Sequence, residues 1–132
     1  MTNSLEKIMA DSNGSMALLE ALADNSFDSI LVTDALAESK IIYANKSFGA
    51  LTGHDPASVI GNNPKILQGT GTDQKVIERL ALALKTGDTF EGKAINYKKD
   101  GTAFIMHWRV TPIKTDQKII AWVAIQRESP SI

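Results

Sequence analysis

Gly61-Asn62-Asn63-Pro64-Lys65-Ile66-Leu67-Gln68-Gly69 is a polar, turn-forming run in the middle of a 132-residue chain. Its glycines, amides and proline predict a tight bend whose side chains can line a pocket. Just before it, Asp55-Pro56 reads as a helix cap followed by proline at the first helical position, opening a turn that ends at Gly61. Just after it, Thr72 or Asp73 can cap a helix over 73–86. Val76, Ile77, Leu80, Leu82 and Leu84 supply the buried side of that helix, and Gly87 stops it. Gly69-Thr70-Gly71 reads as a flexible turn.

Strand-like sequence lies further out on both sides. Ser29 to Thr33, ending at Asp34, and Lys40 to Ala44 are rich in β-branched residues and close enough for a hairpin. Asn45 can cap a short helix over 46–52, closed by Gly53. After the long helix come Phe90 to Tyr97, an Asp100-Gly101 hairpin turn, a return strand over Thr102 to Thr111, a loop from Pro112 to Gln117, and a last strand from Lys118 to Arg127. Residues 129–132 read as a frayed tail. At the other end, residues 4–12 and 15–23 look helical, with Asn13-Gly14 as the break. Met16, Leu18, Leu19 and Leu22 form a stripe that must be buried on its own domain or on a partner subunit. Two strands, a helical excursion and three more strands predict an α+β fold: a five-stranded antiparallel sheet with helices on one face and an N-terminal helical extension. A ligand would lie between helices and sheet.

Composition excludes several functions. The length suits one domain. Fourteen basic and fifteen acidic residues give a net charge of −1, so nothing in the charge favours nucleic acid or an anionic membrane. No apolar run approaches the ~18 residues of a membrane span, and the N-terminus has no basic segment followed by an apolar one. Cysteine is absent, which removes disulfides, thiolate metal sites and thiol nucleophiles and suits a cytoplasmic location. The two histidines, His54 and His107, have no metal-ligand spacing, and the carboxylates are scattered singly. The expectation is therefore no metal, no catalytic residues and no enzyme.

Six pieces carry a resemblance: Val32-Thr33-Asp34, Ile42 to Phe48, Leu51-Thr52-Gly53-His54, Gly61-Asn62-Asn63, Asn96 to Phe104, and Ile125-Gln126-Arg127. In this order they resemble the PAS superfamily over residues 22–128, with 1–21 as an N-terminal helical extension and 129–132 as a tail. Within it the chain is most similar to the light-oxygen-voltage (LOV) flavin domains, which carry Gly-x-Asn-Cys-Arg-Phe-Leu-Gln-Gly where this chain has residues 61–69. Pro64 stands where the photoreactive cysteine belongs.

The resemblance implies a flavin site built from Thr33, Asn63, Lys65, Leu67, Gln68, Asn96, Met106, Trp108 and Gln126, holding FMN, with FAD or an empty pocket as alternatives. Amides suit a flavin ring because each offers a donor and an acceptor. Met106 replaces a second ring-binding Asn and cannot donate a hydrogen bond. Lys65 replaces one phosphate-binding arginine and Ala81 the other; Lys75 and Arg79 lie on the same helix and could compensate. Strand alternation turns Phe104, Met106, Trp108 and Val110 inward, together with Ile120, Trp122, Ala124 and Gln126. Trp108 or Tyr43 could donate an electron to a flavin. The outer face offers Ile95, Tyr97, Ile105 and Val123.

Two functions follow. One is a sensory module with a non-covalent flavin, responding to light or redox state without a cysteinyl adduct. The other is a cofactor-free dimerisation or ligand-binding module of a signalling protein. The expected partners are flavin, a second copy through the outer sheet face and N-terminal helix, and a downstream signalling domain.

Overall fold

The computed structural model describes residues 4–132; Met1, Thr2 and Asn3, the start of the expected extension, lie outside them. Two helices open the chain, α1 (Ser4–Ala10) and α2 (Ser12–Asp24). The break falls at Asp11, whose carboxylate accepts the Asn13 N–H at 2.9 Å as an N-cap, and not at Asn13-Gly14. Gly14 lies inside α2, where a Cβ would collide with the Ile8 carbonyl; the glycine lets the end of α1 lie against α2.

The sheet contains β1 (Ser29–Asp34), β2 (Ile41–Ala44), β3 (Phe90–Tyr97), β4 (Ala103–Thr115) and β5 (Lys118–Glu128). All pairs are antiparallel, in the order β2-β1-β5-β4-β3. Between β2 and β3 come α3 (Lys46–Thr52), two 3-10 turns at Pro56–Val59 and Pro64–Leu67, and α4 (Gln74–Thr86). Their caps follow the expected chemistry. Asn45, Asp55, Asn63 and Asp73 accept backbone N–H groups, and Gly53 and Gly87 close α3 and α4 at φ 77° and 80°. This is the expected PAS architecture, with a core of Leu31, Phe48, Leu67, Phe104, Met106 and their neighbours between sheet and helices.

Five local expectations are corrected. Leu82 is 60% exposed, because two residues along a helix turn about 200° from the half-buried Leu80 side; Ala83 is buried in its place. Residues 112–115 continue β4 instead of forming a loop. β3 ends its pairing at Phe90–Val110, so Pro112 meets no neighbour on that side and needs no N–H there. The hairpin turns at Asp116 and Gln117, both at positive φ (52° and 64°), as a two-residue type I′ turn requires. Ile120 faces solvent although it shares parity with Gln126. The β4–β5 register slips there, Ile113 opposing Ala121 and Lys114 opposing Ile119, so Ile120 is an extra residue that resets the alternation. The tail is docked: Ser129 is buried and its N–H donates to the Ile105 carbonyl at 2.8 Å.

The fifth concerns Gly69-Thr70-Gly71. This turn is clamped on the β3 edge. The Gly71 N–H donates to the Tyr97 hydroxyl at 2.8 Å, Thr72 Oγ1 donates to the Ile95 carbonyl at 2.7 Å, and a Cβ on Gly69 would overlap the Tyr97 ring. Ile95 and Tyr97 therefore pack partly beneath this turn. What remains open on the outer face is half-buried Ile105 and Val123 with exposed Ile125.

Candidate functional site

A cavity of about 140 Å³ opens between the inner face of the sheet and the helical side. That is about tenfold the ~10–15 Å³ a single water occupies by the same measure, so the space is ligand-sized. All nine residues expected at the site line it: Thr33 from β1, Asn63, Lys65, Leu67 and Gln68 from the second 3-10 turn and its flanks, Asn96 from β3, Met106 and Trp108 from β4, and Gln126 from β5. Period-two alternation places Met106, Trp108 and Val110 on one wall, and Trp122, Ala124 and Gln126 beside them. Pro64 lines the cavity at the head of its turn. Leu31, Ser39, Ile77, Leu80 and Leu84 complete the wall and were not singled out from sequence as site residues. The helical periodicity of Ile77, Leu80 and Leu84 marks them as inward-facing, but nothing in it distinguishes cavity wall from solid core.

The four amides differ in what they are free to do. Asn63 is committed to the protein: its Oδ1 accepts the Lys65 N–H at 2.9 Å and its Nδ2 donates to the Glu38 carbonyl at 2.7 Å. Gln68 makes no side-chain hydrogen bond among the described residues. Gln126, 3% exposed, has its Oε1 held by the Ser29 hydroxyl at 2.9 Å. Asn96, 5% exposed, is the buried amide left with an unpaired atom. Its Nδ2 points to the Met106 thioether at 3.3 Å, a weak acceptor. Its Oδ1 is buried with no partner. A buried unpaired oxygen costs about 1–3 kcal/mol, and the residue that carries it lines the cavity.

Cations are distributed differently from the expected compensation. Neither Lys75 nor Arg79 lines the cavity. The Arg79 guanidinium lies 5.2 Å from the Phe90 ring centroid and donates to the Glu91 carbonyl at 3.3 Å. Tyr43 is likewise elsewhere: its hydroxyl donates to Asp24 at 3.3 Å, and burial, with Asp24 beside it, pushes its pKa up. Of the aromatic electron donors considered, Trp108 is at the cavity, joined by Trp122. Trp108 packs against Phe90 at 5.1 Å between centroids.

The PAS domain family matches residues 28–128, and the chain belongs to it. Among curated relatives, it is 39% identical over 100 residues to phototropin-2 of Oryza sativa subsp. japonica, covering 74% of this chain and 11% of that protein. It is 37% identical over 87 residues to a blue-light-activated histidine kinase of Brucella anthropi, covering 66% of this chain and 18% of the relative. The chain thus spans under a fifth of the length of either protein. Among solved structures, the LOV domain of the Erythrobacter litoralis blue-light-activated histidine kinase superposes with a TM-score of 0.73 at 34% identity, covering 76% of this chain and 94% of that one. A light-oxygen-voltage domain from a flavin-analogue study superposes at 0.76 with 25% identity, covering 92% and 87%. No helix of the described residues is long and apolar enough to cross a membrane.

Proposed function

We propose that this PAS domain is a sensory module that holds a flavin, FMN in the first instance, without a covalent bond to the protein. The observation that carries the reading is a ligand-sized cavity lined by Asn96, Gln126 and Gln68, with the buried Asn96 oxygen left unpartnered. An imide-bearing ring edge offers the N–H that oxygen needs and carbonyls for the amide donors. The similarity to a blue-light-activated histidine kinase and to a light-oxygen-voltage domain studied with a flavin analogue supports the same class of ligand.

A bound flavin supplies a blue-absorbing ring that accepts electrons. The chain's part is to hold and shield it. Leu67, Met106, Trp108 and Trp122, each at most 6% exposed, keep water from the site. Ala124 leaves room on the inner face for a flat ring. Pro64 has no nucleophile and the chain contains no cysteine, so no bond forms through sulfur. Gln126 carries the signal. The Ser29 hydroxyl can donate or accept, so the Gln126 amide keeps this bond in either of two orientations. Either orientation would let Gln126, at the end of β5, answer a change in the hydrogen bonding of a bound ring.

Purified protein should show the blue absorption bands of a flavin, or gain them on titration with FMN. A colourless protein that takes up neither FMN nor FAD would sink the reading. A second reading, a dimerisation module within a larger signalling protein, is favoured by the uncovered stripe on α1 and α2: Leu5, Ile8, Met9, Met16, Leu19 and Leu22 are each at least 42% exposed. The two readings are compatible, since a flavin-dependent change at β5 would act on whatever the stripe binds.

A further inference from the structure

The site lacks one cation for a flavin phosphate on the α4 side, and the β1–β2 loop offers one instead. The cavity meets a surface groove at Asn63 and Lys65, which line both; the rest of that groove includes Glu38 and Lys40. On α4, Ala81 carries no charge, and Arg79 is turned towards Phe90 and the Glu91 carbonyl. The loop, by contrast, is built rigidly over the cavity rim. Asp34 Oδ1 accepts the Leu36 and Lys40 N–H groups at 3.1 and 3.2 Å. Asn63 Nδ2 ties the Glu38 carbonyl to the 3-10 turn at 2.7 Å. Ser39, in the left-handed region at φ 48°, lines the cavity itself. Among the described residues, the Lys40 ammonium pairs with the exposed Glu38 carboxylate alone, at 3.0 Å.

Resting on the flavin reading above, with Lys65 towards the phosphate as the resemblance implies, the geometry points to Lys40 as the second cation for the nucleotide's phosphate end, in the groove that the two lysines line. Glu38 opposes an anion there and holds Lys40 until the phosphate displaces it. The phosphate contacts are solvent-exposed, so each lysine contributes a modest, salt-sensitive share.

Equilibrium dialysis of riboflavin, FMN and FAD against the purified chain, freed of any bound flavin, tests this. At low salt FMN should bind about tenfold more tightly than riboflavin, the sum of two exposed ion pairs. Lys40→Ala should weaken FMN about two- to fivefold and leave riboflavin unchanged, and Lys65→Ala should weaken FMN by a similar factor. Glu38→Gln should tighten FMN, and Lys75→Ala should alter neither ligand. Equal affinity for riboflavin and FMN, or a Lys40→Ala variant that binds FMN like the wild type, would overturn the assignment while leaving the flavin reading intact. If none of the three ligands binds, both fall together.

Discussion

Asn45 shows how much one side chain can hold. It is fully buried, and all of its hydrogen-bonding capacity is directed at backbone. Oδ1 accepts from Ile30 and Phe48 N–H at 2.8 and 3.0 Å; Nδ2 donates to the Ala23 and Asp28 carbonyls at 2.6 and 3.0 Å. It caps α3 and also joins the end of α2 to the start of β1. Asn45→Ala should destabilise the fold by about 3 kcal/mol in urea unfolding, since several buried backbone groups lose partners at once. The local sequence reveals the cap, because capping is a neighbour effect; it hides the other three bonds, whose partners sit 15 to 22 residues away. The site amides divide the same way. Their residue types mark a pocket, but that Asn63 is committed to its own turn while Asn96 is left unsatisfied is settled only by packing. At Trp108 the expected consequence is optical. An indole against an excited flavin quenches it by transferring an electron that then returns, so Trp108→Phe should raise the fluorescence yield of the bound flavin severalfold. An unchanged lifetime would remove Trp108 from that role.

Among the elements, those with strong local chemistry were legible in the sequence. Asp73 and Gly87 bound α4, and Asp100-Gly101 marks the β3–β4 turn. The misses come from context. Pro112 could stay in a strand because β3 had already ended, and Ile120 faces out because a bulge resets the period. The α1–α2 unit raises a different question. Its stripe is exposed, so polar substitutions there should alter stability by no more than about 0.5 kcal/mol. If a second copy covers it, Leu19→Gln with Leu22→Gln should convert a dimer to a monomer in light scattering while the circular dichroism of the domain stays unchanged. A wild-type monomer would leave the stripe to a different partner.

At the level of the whole molecule, pH acts through a histidine remote from the cavity wall. His54 stacks on Phe48 at 6.4 Å, and burial, reinforced by the Lys99 charge, lowers its pKa below the ordinary 6.5. The unfolded chain therefore binds the extra proton first. The contribution of His54 to stability is full above pH 6.5 and declines as pH falls from there towards the folded value. Melting temperatures measured on both sides of that value should show this decline in the wild type and a flatter profile in His54→Phe, which keeps a ring against Phe48. The fold was legible at this scale because strand order and turn chemistry agree from end to end.

Ser29 and Gln126 are register partners on β1 and β5, hydrogen-bonded through their side chains, and next to them Asp28 and Arg127 form a 2.6 Å ion pair. The polypeptide thus enters and leaves the domain through adjoining doors. A unit of this kind can be grafted into a surface loop of a host protein without prying that loop apart. A rearrangement of Gln126, as proposed above, would then reach the segments before β1 and after β5 together, making that junction a natural hinge.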